Sequence, residues 1–164
     1  MEPQAATDFL IGQMRVLTMP ALTYFYVTNQ PVPFADLDKD FDPLLDKLCE
    51  AQALAHIPEA GPEITRYYKV SAGEPDLYLM ETGVSVKPGT LPAGEALVRT
   101  LPPYRCAALM HWGGLLHLAQ SYAALSQAVK AAGLQPTGEC REWNFYFESV
   151  ESPNDLIGLY MGIF

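Results

Sequence analysis

The apolar positions along this chain change period repeatedly, and each change marks an element. Leu115, Leu118, Tyr122, Leu125 and Val129 recur at steps of three and four, the stripe that one face of a helix presents. That spacing predicts a helix over Leu115–Ala132. Gly133 ends it in the left-handed turn that glycine adopts at little cost, and Lys130 suits the negative end of the helix dipole. Upstream, Leu101-Pro102-Pro103-Tyr104-Arg105 leads into the apolar strand Cys106-Ala107-Ala108-Leu109-Met110, which His111-Trp112-Gly113-Gly114 breaks. Downstream, after Thr137-Gly138, period two sets in from Glu139 to Glu148. Trp143, Phe145 and Phe147 fall on one face, and Glu142, Asn144, Tyr146 and Glu148 on the other. The odd face is expected to pack under the helix. The even face, with its carboxylate, amide and phenol, is expected to floor a polar-edged cleft or to meet water.

The first half follows a similar plan. Met1 to Gln13 reads as a lightly packed arm. Arg15 to Thr28 is a strand region interrupted by Pro20, beyond which Leu22, Tyr24 and Tyr26 alternate with Thr23, Phe25 and Val27. Asp36, Asp38, Asp40 and Asp42 suggest a calcium loop, but Phe41 and Lys47 stand where such a loop needs glycine and glutamate. A helix amino terminus is the plainer reading, with Asp42 as cap and Pro43 at the first helical position. Leu44, Leu45, Leu48, Ala51, Gln52 and Ala55 carry that helix to about Ile57, where Pro58 stops it. Glu59-Ala60-Gly61-Pro62 is a turn, Glu63–Val70 a strand, Ser71–Pro75 a turn and Asp76–Val86 a strand. Lys87 to Gly94 is rich in proline and glycine and marks the midpoint. Ser152-Pro153-Asn154 precedes a last strand, Asp155–Ile163. The order strand, helix, strand, strand thus occurs twice, in halves of about 14–88 and 91–164. It predicts one α+β domain over residues 1–164, with a curved antiparallel sheet and two long helices on one face. A ligand cleft is expected along the join between the halves, on the face left open by the helices.

Composition narrows the function. With 49% hydrophobic and 18% charged residues, the chain has enough apolar side chains for a packed core. No apolar run approaches a membrane span, and no basic region precedes Phe9-Leu10-Ile11, so a cytoplasmic setting is the default expectation. Net charge is −9 and the basic residues are scattered singly, which argues against direct nucleic-acid binding. Cys49, Cys106 and Cys140 fit neither a disulfide framework nor a zinc site, and Cys49 is read as a helix-core thiol. No histidine has metal-ligand spacing, and no serine elbow or phosphate loop appears, so no metal or cofactor is expected.

Leu91-Pro92-Ala93-Gly94, the strand ending in His111-Trp112-Gly113-Gly114, the helix with Tyr122 and Leu125, and Gly138 to Trp143 followed by Ser152-Pro153 carry a resemblance. Over roughly Met14 to Ile163 the chain resembles the GyrI-like family, which includes effector-binding domains of BmrR-type and of some AraC-type bacterial regulators. That family's fold, two strand–helix–strand–strand units about a pseudo-twofold, agrees with the repeat read above. The resemblance implies a cleft that binds small organic molecules, where a buried glutamate among aromatic rings holds lipophilic cations. Glu142 matches that glutamate. Ligand contacts are expected from Glu142, Asn144, Trp112, Tyr24, Tyr26, Tyr78, Met80 and Tyr160. The expected function is binding of a small amphiphilic molecule, cations included, for sensing or sequestration. Two alternatives stay open. One is hydrolysis of strained electrophiles, with Glu142 as general base assisted by Tyr146. The other is a protein-binding module of the gyrase-inhibitor type. Oligomeric state is left open. The chain departs from the family pattern at Gly158-Leu159, where an acidic residue is common, and at Trp112, where a polar residue is usual.

Overall fold

The computed structural model describes residues 9–58, 62–71 and 76–164. Residues 1–8 of the expected arm, and most of the turns expected at Glu59–Pro62 and Ser71–Pro75, lie outside the described residues. The elements run β1 (Phe9–Ile11), β2 (Arg15–Met19), β3 (Leu22–Thr28), β4 (Val32–Pro33), α1 (Leu37–Leu54), β5 (Glu63–Ser71) and β6 (Leu77–Ser85) in the first half. The second half holds β7 (Leu97–Leu101), β8 (Tyr104–Gly113), α2 (Leu118–Ala131), β9 (Pro136–Tyr146) and β10 (Leu156–Ile163). A short 3-10 turn opens each helix, Phe34–Asp36 before α1 and Leu115–His117 before α2.

All described strands join one antiparallel sheet with the central order β8-β10-β9-β5-β6-β3. The order reads the same from either end: β8 corresponds to β3, β10 to β6 and β9 to β5. The two repeats therefore meet at the β5–β9 pair, where Thr65 faces Glu142 and Tyr67 faces Cys140. The strands that enter each repeat change sides. β2 pairs with β8, yet the chain reaches β3 across Pro20 and Ala21 alone. β7 pairs with β3, yet the chain reaches β8 across Pro102 and Pro103. Two-residue connections between opposite ends of a sheet require the sheet to curl until those ends approach.

The curl gives the sheet two buried faces. On one, Phe25, Val27, Met80 and Val84 pack under Leu44 and Leu48 of α1, and Ala107, Leu109, Ile157 and Leu159 pack under Leu125 and Val129 of α2. On the other, Tyr24, Tyr26, Ile64 and Leu101 form one cluster and Tyr104, Cys106, Ala108 and Tyr160 a second, with Trp143 touching both. Among the described residues no helix is long and apolar enough to cross a membrane.

The structure differs from several sequence expectations. α1 begins at Leu37, so Pro43 lies inside the helix and Asp42 is not its cap. The proline sits on the exposed side, where water can serve the carbonyl that lacks its backbone N–H partner. The odd residues of β9 do not pack under a helix: Trp143 and Phe145 lie on the far face, where Trp143 meets Tyr160. β8 runs on through His111 to Gly113, and β7 was not foreseen. Cys49 is exposed. Gly133 does end α2 as expected, at φ 69°.

Gly83 of β6 is where close approach demands glycine. A methyl group there would come within 2.3 Å of the Phe25 carbonyl and 2.7 Å of the Tyr24 ring. Gly83→Ala is expected to destabilise the protein by about 1–3 kcal/mol through overpacking, read as a lower urea midpoint.

Candidate functional site

The helix-bearing face of the sheet is not fully covered. α1 packs over the first repeat and α2 over the second, and a cavity of about 1400 Å³ opens between them above the β5–β9 seam. Alternation decides what lines it. Thr65 and Tyr67 of β5, Tyr78 and Met80 of β6, and Cys140, Glu142 and Asn144 of β9 point to the helix side, and all seven face the cavity. Tyr122 descends from α2, while Phe34, Leu37 and Phe41 close the α1 wall.

Glu142 lies at the centre of this floor. Its Oε1 accepts hydrogen bonds from Tyr122 Oη at 2.5 Å and Tyr67 Oη at 3.4 Å. No lysine, arginine or histidine forms an ion pair with it among the described residues. Burial holds its carboxyl above the ordinary carboxylate range, and the two phenols pull it back only in part. Burial, and then the charge of Glu142, push both phenols to higher pKa, so they remain protonated donors at neutral pH. Asn144 reaches Glu63 at 3.4 Å. The Glu63 carboxyl is raised to about 6, mainly by burial, with the neighbouring charge of Glu142 adding to the rise. Burial also pushes the Cys140 thiol up to about 12, so it is no nucleophile at neutral pH.

Rings surround the carboxylate. Tyr67 and Tyr122 lie 6.3 Å apart between centroids and Phe34 stands 6.4 Å from Tyr67. Phe34 also meets Tyr78 edge-on at 5.4 Å. The cavity therefore offers a central carboxylate and several aromatic walls in a mainly apolar lining, to which Asp38, Glu139 and Lys130 also belong.

The residues singled out from sequence divide. Glu142, Asn144, Tyr78 and Met80 come together at the cavity. Tyr24, Tyr26 and Tyr160 do not, because their parity sends them to the far face. Tyr24 stacks on Tyr26 with centroids 5.0 Å apart and donates to the Ile64 carbonyl at 2.9 Å. Tyr160 packs against Trp143. Trp112 sits at the end of β8, 40% exposed, between Leu10 and Leu156 in the ladder. Tyr146 is 51% exposed and donates to Glu148 at 2.7 Å, so it does not assist Glu142 here. The cleft also lies on the helix-bearing face rather than the opposite one. Tyr67, Tyr122 and Phe34 were missed as site residues. Tyr122 carried a signal: a phenol on the apolar stripe of a helix needs a buried acceptor.

No protein-family model matches the sequence, and a search of curated proteins returns no match. Solved structures do resemble it. The C-terminal domain of EcmrR superposes with a TM-score of 0.68 at 15% identity, covering 93% of this chain and 98% of that one. SAV2435 bound to tetraphenylphosphonium gives 0.65 at 9% identity, covering 93% and 94%. A hydrolase from Listeria innocua gives 0.57 at 12% identity, covering 93% and 92%. The chain has the GyrI-like fold, α+β with one curved antiparallel sheet and two helices.

A raised native carboxyl pKa fixes the sign of a pH effect. The native state holds the Glu142 proton more tightly than the unfolded chain, so stability falls as pH rises from about 4.3 through the native value. Urea unfolding of wild type and Glu142→Gln across pH is expected to show wild type losing ground over that window, with a constant gap above it. A gap opening the other way would place a hidden cation beside Glu142.

Proposed function

We propose that this domain binds a small lipophilic cation with an aromatic body, held in the cavity between α1 and α2. The observation that carries this reading is Glu142: a carboxylate among rings, supported by two neutral donors, with no basic side chain paired to it. A cation entering the cavity supplies the missing charge where water screens it poorly. At an effective dielectric near 20, two unit charges about 4 Å apart attract by roughly 4 kcal/mol before desolvation is counted. Each ring face adds about 0.5–2 kcal/mol of cation–π attraction. The likeness to SAV2435, which was solved with tetraphenylphosphonium, supports the choice of ligand class. Sensing and sequestration both begin with this binding step.

One feature of the site also supports a hydrolytic reading. A carboxyl raised above its ordinary range approaches the pKa that suits a general base at neutral pH. Glu142 would take a proton from water as the water oxygen bonds to an epoxide carbon. Tyr122 or Tyr67, in place of Tyr146, would donate to the epoxide oxygen as the ring C–O bond breaks, giving a diol.

Calorimetric titration with tetraphenylphosphonium and with tetraphenylborate, alike in shape and opposite in charge, separates electrostatic from purely apolar binding. The phosphonium is expected to bind and the borate not. Glu142→Gln is expected to weaken the phosphonium at least about tenfold. Affinity should fall as pH drops through the raised Glu142 pKa, since protonation removes the counter-charge. Equal binding of both ions would overturn the reading. Diol formed from an aromatic epoxide by wild type and lost in Glu142→Gln would favour hydrolysis.

A further inference from the structure

The hydrogen bonds on the cavity floor are unevenly shared. Both phenols donate to Oε1 of Glu142, and none of the described side chains donates to Oε2. Thr65 stands opposite Glu142 in the β5–β9 register, so the two side chains share a face. Thr65 lines the cavity, is only 3% exposed, and its buried hydroxyl has no hydrogen-bond partner. A turn of about 120° about χ1 carries its hydroxyl to another staggered position, so the hydroxyl can follow a ligand. One step along the same face of β9, Asn144 gives its amide nitrogen to Glu63 and keeps its carbonyl oxygen for another donor.

We infer that the cavity selects cations that carry N–H groups, protonated primary or secondary amines with aromatic substituents, over quaternary cations of the same size. The inference rests on the cation-binding reading of Glu142 and goes further by naming the ligand's head group. Three residues on one face of the seam carry acceptors without a donor: Glu142 at Oε2, Thr65 at its hydroxyl and Asn144 at its carbonyl. An ammonium with two or three N–H bonds can satisfy more than one of them. Its hydrogen bond to the carboxylate is charge-assisted and short. A quaternary nitrogen or phosphorus, wrapped in carbon, keeps its charge farther from Oε2 and leaves every acceptor unpaired. A site whose buried polar groups need a donor discriminates sharply against an analogue that lacks one.

The test uses dibenzylammonium and dibenzyldimethylammonium, which share their rings and charge and differ in N–H content. Calorimetry on the wild-type protein at neutral pH is expected to give a Kd at least about tenfold lower for dibenzylammonium. Thr65→Val, which keeps the side-chain shape, is expected to bring the ratio of the two Kd values toward one. Thermal unfolding checks that this variant folds. Glu142→Gln is expected to weaken both cations. If the wild type binds the quaternary ion as tightly as the amine or more tightly, the selectivity inference falls and cation binding stands. If neither ion binds, cation binding falls and the inference falls with it. A ratio in Thr65→Val unchanged from wild type would remove Thr65 from the head-group site.

Discussion

A carboxylate kept among aromatic rings, with phenols in place of basic side chains for company, is the constraint on which the site depends. An ionised group in such surroundings is costly, and proteins ordinarily neutralise it or pair it. Here Tyr122 and Tyr67 supply hydrogen bonds without supplying charge. They make the negative form tolerable and leave its field uncancelled. Because burial and the Glu142 charge keep both phenols protonated, this support persists wherever the carboxylate is ionised at neutral pH.

The duplicated architecture explains where that carboxylate can be placed. Each repeat packs its own helix over its own strands, and the two helix-side cores are separate clusters. The seam between them is the β5–β9 pair, above which the cavity opens. A side chain pointing up from the seam therefore enters the space between two cores rather than either core. Thr65, Tyr67, Glu142 and Asn144 all point up from the seam. The curl of the sheet, imposed by the short Pro20-Ala21 and Pro102-Pro103 connections, buries the reverse face beneath the cavity floor.

The repeat, both helices and the grouping of Glu142 with Asn144 were legible in the sequence, because each rests on periodicity. The orientation of β9 was not. Trp143 and Phe145 look like a core-facing set, and in a sheet with one dry face they would lie under the helix. In a curled sheet both faces are dry, so apolar character no longer tells one from the other. The same ambiguity hid the division of the tyrosines. Tyr24, Tyr26 and Tyr160 fill the inside of the curl while Tyr67 and Tyr78 line the cavity, and only register separates them. Pro43 misled because a proline near a cluster of acids reads as a helix start. Its exposed position inside α1 satisfies the same chemistry without ending anything.

The two faces of the seam treat acidic residues in opposite ways, and the contrast bears on what the cavity is for. On the inside of the curl, Glu81 is nearly inaccessible and is held by Arg66 at 3.0 Å and by Arg99. Glu139 is held by Arg66 and by Arg141 at 2.9 Å. Three arginines and two glutamates close on one another, and the guanidinium groups of Arg66, Arg99 and Arg141 also lie over Tyr68, Tyr26 and Tyr104. Both of these acids have basic partners from the chain itself. Arg66 and Arg141 flank the cavity residues in sequence, directly before Tyr67 and directly before Glu142, yet strand alternation turns both away from the cavity. A shift of one register step would bring an arginine onto the floor beside Glu142. The fold turns Arg66, Arg99 and Arg141 to the inner face and gives Glu142 no ion-pair partner among the described residues.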